Sequence, residues 1–129
     1  LDRRFGWSEM AGGVALAGDA VMLLGWAAVF VVFRANSFAS ATIEVAATQK
    51  VVSTGPYGVV RHPMYAGGLL MLAAMPVALG SWWGLLALLA VLPALVWRLL
   101  DEERMLAAEL DGYAGYQRAV RWRLVPGVW

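Results

Sequence analysis

The stretch that decides the fold is Gly55-Pro56-Tyr57-Gly58-Val59-Val60-Arg61-His62-Pro63-Met64-Tyr65-Ala66-Gly67. Pro63 fixes its own backbone and disfavours helical angles at His62, so we expect a helix to begin at or next to Pro63. The first turn of that helix presents unpaired N–H groups and the positive end of the helix dipole beside Arg61 and His62. The stretch therefore predicts a binding site for a carboxylate or phosphate at a helix N-terminus.

Two aromatic residues flank this predicted site. Tyr57 precedes the helix and Tyr65 lies in its first turn. A tyrosine ring has a flat apolar face and a polar hydroxyl tip. The pair is therefore suited to a ligand that is part ring and part charge.

The composition is too apolar for an ordinary soluble domain. The 129-residue chain is 61% hydrophobic and has a mean hydropathy of +0.66, whereas soluble domains are about half apolar. A net charge of +1 gives no indication of nucleic acid binding. The absence of cysteine excludes disulfides and thiolate sites, and the single histidine argues against a transition-metal centre. We expect a membrane protein that binds neither nucleic acid nor metal.

Three apolar stretches are candidates for membrane-spanning helices, at about 11–33, 64–80 and 84–100. At a rise of about 1.5 Å per residue, the first has the length needed to cross a hydrocarbon core of roughly 30 Å, and the other two are slightly short. Only residues 81–83 separate the second from the third, so these two helices should form a tight antiparallel hairpin. Asp19 is the only charge in the first stretch, and we expect it to face the bundle or to lie near a helix end.

The predicted fold is an all-α integral membrane protein with three transmembrane helices and an amphipathic C-terminal helix. Charged and apolar residues interleave from Arg98 to Arg118, which predicts that the third helix leaves the bilayer as an amphipathic helix ending near Gly112 to Tyr116. We expect residues 1–129 to form one domain, the C-terminal part of a larger helical bundle. The chain begins at Leu1 with a polar stretch and has no signal peptide in view.

The predicted hairpin brings two polar stretches together. Its open ends are Arg61–Tyr65 and Arg98–Glu103, which should lie at the same membrane face and form one site. Arg98 and Glu102 are one helical turn apart and share a face, whereas Glu103 points about 100° away. Taken singly, these groups are more simply interfacial anchors and a solvated acidic face, but their convergence favours a site.

The basic residues indicate the orientation of the chain. Apart from Arg3 and Arg4, all of them fall in or near the segments Arg34–Arg61 and Arg98–Arg123, and none falls in the turn at residues 81–83. Cytoplasmic segments of membrane proteins carry an excess of Lys and Arg. The predicted site should therefore face the cytoplasm.

Four motifs stand out along the chain: Gly55-x-Tyr57, Arg61-His62-Pro63-x-Tyr65-x-Gly67, Glu102-Glu103 and Tyr113-x-x-Tyr116. Over roughly residues 34–129 their types and spacing resemble the isoprenylcysteine carboxyl methyltransferase family, including its bacterial members, with phospholipid methyltransferases as more distant relatives. The resemblance implies a multi-pass enzyme, here expected in a bacterial inner membrane. Such an enzyme moves a methyl group from S-adenosylmethionine to a lipid-borne or prenylated acceptor.

The resemblance also implies roles for particular residues. The arginine one turn before the glutamate, Arg98, would lie towards the acceptor. The residues alone indicate that Arg61 joins His62 and the helix N-terminus in holding the cofactor's carboxylate, and that Glu102 binds its ammonium or ribose hydroxyls. The cofactor contacts carried over from the family fall on Gln49, Lys50, Val51, Val52, Tyr57, His62, Pro63, Met64, Tyr65 and Glu102.

The predicted reaction is an in-line displacement at the sulfonium methyl group. A carboxylate acceptor is already nucleophilic near neutral pH and needs no general base, so positioning and desolvation would supply the catalysis. Arg98 would hold that carboxylate. An amine acceptor would need a base, for which Glu103 is the nearby candidate.

Two other interpretations remain open. Membrane sterol and steroid reductases, which use NADPH, have a similar C-terminal architecture and a related Arg-x-Pro-x-Tyr-x-Gly block. Their pattern tends to place asparagine and glutamate where this chain has Met64 and Gly68, which favours methyl transfer. A non-catalytic membrane scaffold is the third interpretation, and its loops should tolerate substitution freely.

Overall fold

The computed structural model describes residues 2–36 and 50–129, and every regular element within these ranges is helical. The all-α prediction is therefore confirmed for this part of the chain. In chain order the elements are α1 (Asp2–Phe5), α2 (Gly12–Ala35), a 3₁₀ turn (Gly55–Gly58), α3 (Pro63–Ala78), α4 (Trp82–Glu109) and α5 (Tyr113–Ala119).

α2 and α3 run antiparallel and pack closely because glycines line their contact. A Cβ atom added at Gly18 would lie 2.5 Å from the backbone nitrogen of Ala78, and one at Gly25 would lie 2.5 Å from a side chain of α3. A Cβ at Gly67 would lie 2.9 Å from the Val29 side chain. In an apolar environment, close van der Waals packing of this kind is a main source of helix association. These glycines therefore set the distance between α2 and α3.

The predicted hairpin of α3 and α4 is present. Gly80 has a φ of +69°, in the left-handed region that favours glycine, and it follows the end of α3. The Ser81 hydroxyl then accepts a hydrogen bond of 3.1 Å from the backbone N–H of Gly84 and so caps α4. A Cβ at Gly84 would lie 2.6 Å from Cβ of Pro76, so the two helices meet closely at this turn.

The prediction of three membrane-spanning helices is wrong in its count. Among the described residues, two helices are long and apolar enough to cross a membrane, α2 with 24 residues and α4 with 28. The predicted second span, at about 64–80, is the 16-residue α3, which is about 24 Å long at 1.5 Å per residue. Pro63 begins this helix and the turn at Gly80 ends it. α3 is therefore too short to count as a membrane-spanning helix.

The apolar side chains of α2 and α4 face outwards. In the most apolar part of α2, only 17% of the residues are buried inside the protein, and in that of α4 only 6%. The core helix of a soluble domain would be mostly buried, so this exposure indicates membrane association. Asp19 is exposed and lies in the first third of α2, towards the α1 end of the molecule.

The charged C-terminal stretch is divided rather than forming one amphipathic helix. α4 runs without interruption through the predicted span at 84–100 and ends at Glu109, and α5 begins at Tyr113. Gly112 separates them with a φ of +85°. The predicted helix from Arg98 to near Gly112–Tyr116 is therefore correct as far as Glu109, and the left-handed backbone at Gly112 then starts a new helix.

The antiparallel order of α2, α3 and α4 gives the molecule two polar ends. At one end, the Asp2 carboxylate accepts hydrogen bonds from the hydroxyls of Ser8 and Ser81, which ties α1 to the α3–α4 turn. The opposite end gathers the end of α2, the 3₁₀ turn, the start of α3, the charged part of α4, and α5. The structure describes most residues of the predicted site. They lie at this second end or within one helical turn of it.

We predict that Gly18→Ala destabilises the protein, because its new methyl group would meet the backbone of Ala78 and force the helices apart. Overpacking of this kind costs about 1–3 kcal/mol. Gly13→Ala on the same helix is the matched control, since a Cβ there has nothing within 4 Å. Thermal unfolding in detergent measures both, and equal melting temperatures for the two variants would contradict the close packing.

Candidate functional site

The two polar stretches of the hairpin meet at the N-terminus of α3. The Tyr65 hydroxyl donates a hydrogen bond of 2.6 Å to Oε2 of Glu102. His62 Nδ1 lies 3.9 Å from Oε1 of the same carboxylate. Arg98, one turn earlier on α4, lies close enough to the Tyr65 hydroxyl to interact with it electrostatically. Groups about forty residues apart in sequence thus surround one small region at the open end of the hairpin.

The local sequence explains how His62 is presented. Pro63 occupies the first turn of α3, and His62 is the preceding N-cap residue with φ −122° and ψ 62°, outside the helical region. The His62 side chain does not cap the helix. Its ring instead packs edge-on against Tyr65, with 5.7 Å between ring centroids. The helix N-terminus therefore keeps its capacity to bind an anion.

Glu103 is the centre of a buried ionic cluster. Its Oε1 accepts a hydrogen bond from Arg61 Nε at 2.6 Å, and His62 Nε2 lies 3.2 Å from the same oxygen. Its Oε2 accepts one from Arg123 Nε at 2.9 Å. Glu103 is 5% exposed, and Arg61 and His62 are 8% and 4% exposed. Two guanidinium groups and an imidazole thus occupy this carboxylate, which has no open side towards a ligand.

The segment after α5 folds back onto the start of α3. The backbone N–H groups of Arg61 and His62 donate to the carbonyls of Trp122 and Arg123, at 2.8 and 2.9 Å. Nη1 of Arg61 donates to the carbonyls of Val120 and Arg121, both at 2.9 Å. Residues 120–123, here called the tail segment, therefore form one wall beneath the histidine.

A cluster of aromatic residues supports the other side of the site. Tyr113 and Tyr116 are buried in a small core with Leu110 and Val120, and Val51 and Tyr57 pack against it. The Tyr116 hydroxyl donates to the carbonyl of Tyr57 at 2.8 Å. Burial raises the pKa of Tyr57, Tyr113 and Tyr116, so all three hydroxyls keep their protons near neutral pH. Tyr113 and Tyr116 are therefore core residues of this end of the molecule.

The residues of the predicted cofactor site differ in their availability. Lys50 is exposed, and Val51, Val52, Tyr57, Met64, Tyr65, Arg98 and Glu102 are half-buried. Arg61, His62, Pro63 and Glu103 are buried. Gln49 lies outside the described residues. The exposed and half-buried members present the most surface to a ligand.

Sequence reasoning missed Arg123 and the tail segment. Arg123 contributes a guanidinium to the Glu103 cluster and stacks over the Trp129 ring at 5.2 Å. The basic residues of this part of the chain indicated the cytoplasmic side but no partner. A buried glutamate needs compensating charges. That requirement could have suggested a second basic partner for Glu103 besides Arg61.

An apolar groove of about 540 Å³ lies on the α2 side of the same helix end. It opens between α2, α3, the 3₁₀ turn and the end of the chain. Val60 and Pro63, which flank Arg61 and His62 in sequence, form part of its wall. Apolar space of this kind is suited to a hydrocarbon chain.

The described residues contain no group of three or more His, Cys, Asp or Glu side chains that would hold a metal ion. The carboxylates of the site are instead engaged by tyrosine, histidine and arginine donors.

Fold and site together define a class of protein. They describe a helical, membrane-associated protein whose polar binding groups converge at one end. The chain belongs to the phospholipid methyltransferase family, because the model of that family matches residues 14–110. A search of curated proteins finds no match. The family match confirms the predicted resemblance in its broader form, and the narrower assignment to the isoprenylcysteine carboxyl methyltransferases stays a prediction.

We predict that Glu103→Ala strongly destabilises the protein, because it leaves the Arg61 guanidinium buried without its counter-ion. Removing one partner of a buried pair costs about 3–5 kcal/mol. Glu109→Ala, at the exposed end of the same helix, is the matched control and should change stability by less than about 0.5 kcal/mol. Unfolding in denaturing detergent measures both variants. Equal stabilities would show that the ionic cluster does not hold the fold.

Proposed function

We propose that this protein is a membrane methyltransferase that uses S-adenosylmethionine and acts on a lipid-borne acceptor. The observation that supports this most directly is the meeting of His62 and the α3 N-terminus with Glu102 across the hairpin. The α3 N-terminus attracts an anion, and the Glu102 carboxylate attracts a cation or hydroxyl groups. S-adenosylmethionine carries a carboxylate, an ammonium group and ribose hydroxyls, so the donor set fits it.

When bound, the cofactor would supply an electrophilic methyl group. The protein's residues would bind and orient the cofactor and the acceptor. We assign the α3 N-terminus to the cofactor's carboxylate, and Glu102 to its ammonium or ribose hydroxyls. Tyr57, Val51 and Val52 offer apolar surface for the adenine ring. Lys50, Met64 and Gln49 remain proposed contacts from the family resemblance.

Two of the predicted site residues take a different role in this proposal. Arg61 and Glu103 are buried against each other and against the tail segment. We therefore propose that Arg61 shapes the site rather than touching the cofactor. Glu103, with three donors already on its carboxylate, is a poor general base, which favours a reaction that needs none.

A carboxylate acceptor satisfies that condition. It is a nucleophile at neutral pH, so the protein has only to hold it in line with the methyl group and to exclude water. Arg98 is the cation placed beside Tyr65 and one turn from Glu102, and we propose that it holds the acceptor's carboxylate. The apolar groove beside α3 supports an acceptor with a hydrocarbon chain.

An amine acceptor is the second candidate, favoured by the family's description as phospholipid methyltransferases. In that case a deprotonated carboxylate must receive the proton that the amine loses. Glu102 is the partly exposed carboxylate of the site, with 25% of its side chain exposed. It takes the place that the sequence had assigned to Glu103.

We further propose that the chain is multi-pass and that its site faces the cytoplasm of a bacterial inner membrane. The basic residues outside α1 lie at or near the end that carries the site. Lys and Arg are enriched on the cytoplasmic side of membrane proteins. The same asymmetry supports the proposed orientation.

We predict that the detergent-purified protein binds S-adenosylhomocysteine but not NADPH, as measured by calorimetry. His62→Ala and Glu102→Ala should each weaken binding at least tenfold, about 1.4 kcal/mol. Glu109→Ala is the control and should bind normally. Binding of NADPH alone would support the reductase interpretation, and binding of neither would support a membrane scaffold.

We predict that membranes containing the protein transfer a labelled methyl group from S-adenosylmethionine to extractable lipid. Label released as methanol by mild base identifies a carboxyl ester, whereas base-stable label identifies an amine. Arg98→Gln should abolish transfer while S-adenosylhomocysteine still binds, because Arg98 is assigned to the acceptor. Arg104→Gln is the control, since the Arg104 side chain is 70% exposed. Undiminished transfer by Arg98→Gln would reject that assignment.

A further inference from the structure

The two ring nitrogens of His62 have different surroundings. Nε2 lies 3.2 Å from Glu103 Oε1, inside the ionic cluster. Nδ1 lies 3.9 Å from Glu102 Oε1, beyond hydrogen-bonding distance. The imidazole, whose side chain is 3% exposed, therefore lies between the buried cluster and the half-buried Glu102 carboxylate.

We propose that Glu103 is a positioning residue that keeps the proton of His62 on Nε2 and thereby presents Nδ1, beside Glu102, to a hydrogen-bond donor of the ligand. The identity of that ligand rests on the proposed function. The position of the proton does not.

The proton's position follows from the chemistry of the cluster. An ionised carboxylate has only acceptor sites, and Arg61 and Arg123 both donate to Glu103. Nε2 must then be the donor in its contact with Oε1. The same two arginines prevent Glu103 from turning away, because each grips a different oxygen of the carboxylate.

This arrangement changes what the site recognises. In the neutral ring, a proton on Nε2 leaves Nδ1 as an acceptor. Nδ1 and the Glu102 carboxylate then form a pair of acceptors, which suits an ammonium group or neighbouring hydroxyls rather than a carboxylate. The cofactor's carboxylate would go to the α3 N-terminus without help from His62, in contrast to the role that the sequence indicated.

The test uses the fact that His62 is the only histidine of the chain. In protein labelled with ¹⁵N-histidine, long-range proton–nitrogen spectra recorded at mildly alkaline pH assign both ring nitrogens without ambiguity. We expect a protonated Nε2 whose hydrogen exchanges slowly with water, and an unprotonated Nδ1. Addition of S-adenosylhomocysteine should shift the Nδ1 signal and leave Nε2 protonated.

Variants separate positioning from general folding. Arg61→Met combined with Glu103→Leu removes both charges of the buried pair, a change that proteins often tolerate, and circular dichroism reports whether the helices persist. The slow Nε2 hydrogen should be lost in this double variant and kept in Glu109→Gln. Should the double variant fail to fold, the spectrum of the unaltered protein still decides the position of the proton.

Each outcome bears on one part of the proposal. A proton on Nδ1, or a slow Nε2 hydrogen that persists in the folded double variant, would overturn the role of Glu103. The expected proton position with calorimetric binding but no shift at Nδ1 would overturn the ligand contact. The expected proton position without any binding would instead count against the proposed function.

Discussion

The buried pair of Arg61 and Glu103 is the constraint on which the site depends. Arg61 leads into α3 and Glu103 lies on α4, so their 2.6 Å contact fixes the register of one helix against the other. A slip of one residue would rotate Glu103 by about 100° and leave two charges unpaired in a buried position. The net stabilisation from such a pair is small, but the cost of every alternative register is large. The pair therefore acts mainly by specifying one arrangement.

The remaining helix contacts serve a different purpose. Between α2 and α3, and at the turn into α4, glycines let the backbones approach closely, and these contacts carry no charge. Close packing of this type works in an apolar environment, where burial of side chains gives little driving force. Most charged residues lie instead at the end of the molecule that carries the site. Uncharged packing thus holds the helices together, and the charged end forms the candidate binding site.

The sequence predicted the hairpin and its polar end well because both have local signals. The short turn at residues 81–83, the His62-Pro63 dipeptide and the one-turn spacing of Arg98 and Glu102 each determine structure over a few residues. Arg123 was missed because it meets Glu103 through a fold-back that no local pattern encodes. The bounds of α3 were predicted nearly correctly, but its 16 residues make a helix that is too short to count as a membrane span. The roles of neighbouring Glu102 and Glu103 differ through partners that lie outside their own helix.

The fold-back of the tail segment has a consequence for biosynthesis. Residues 120–123 bond to the backbone of Arg61 and His62, and Arg123 completes the cluster around Glu103. These residues follow all of the helices that carry the other groups in the chain. A polypeptide released before Val120 would therefore carry every motif of the hairpin without a finished site.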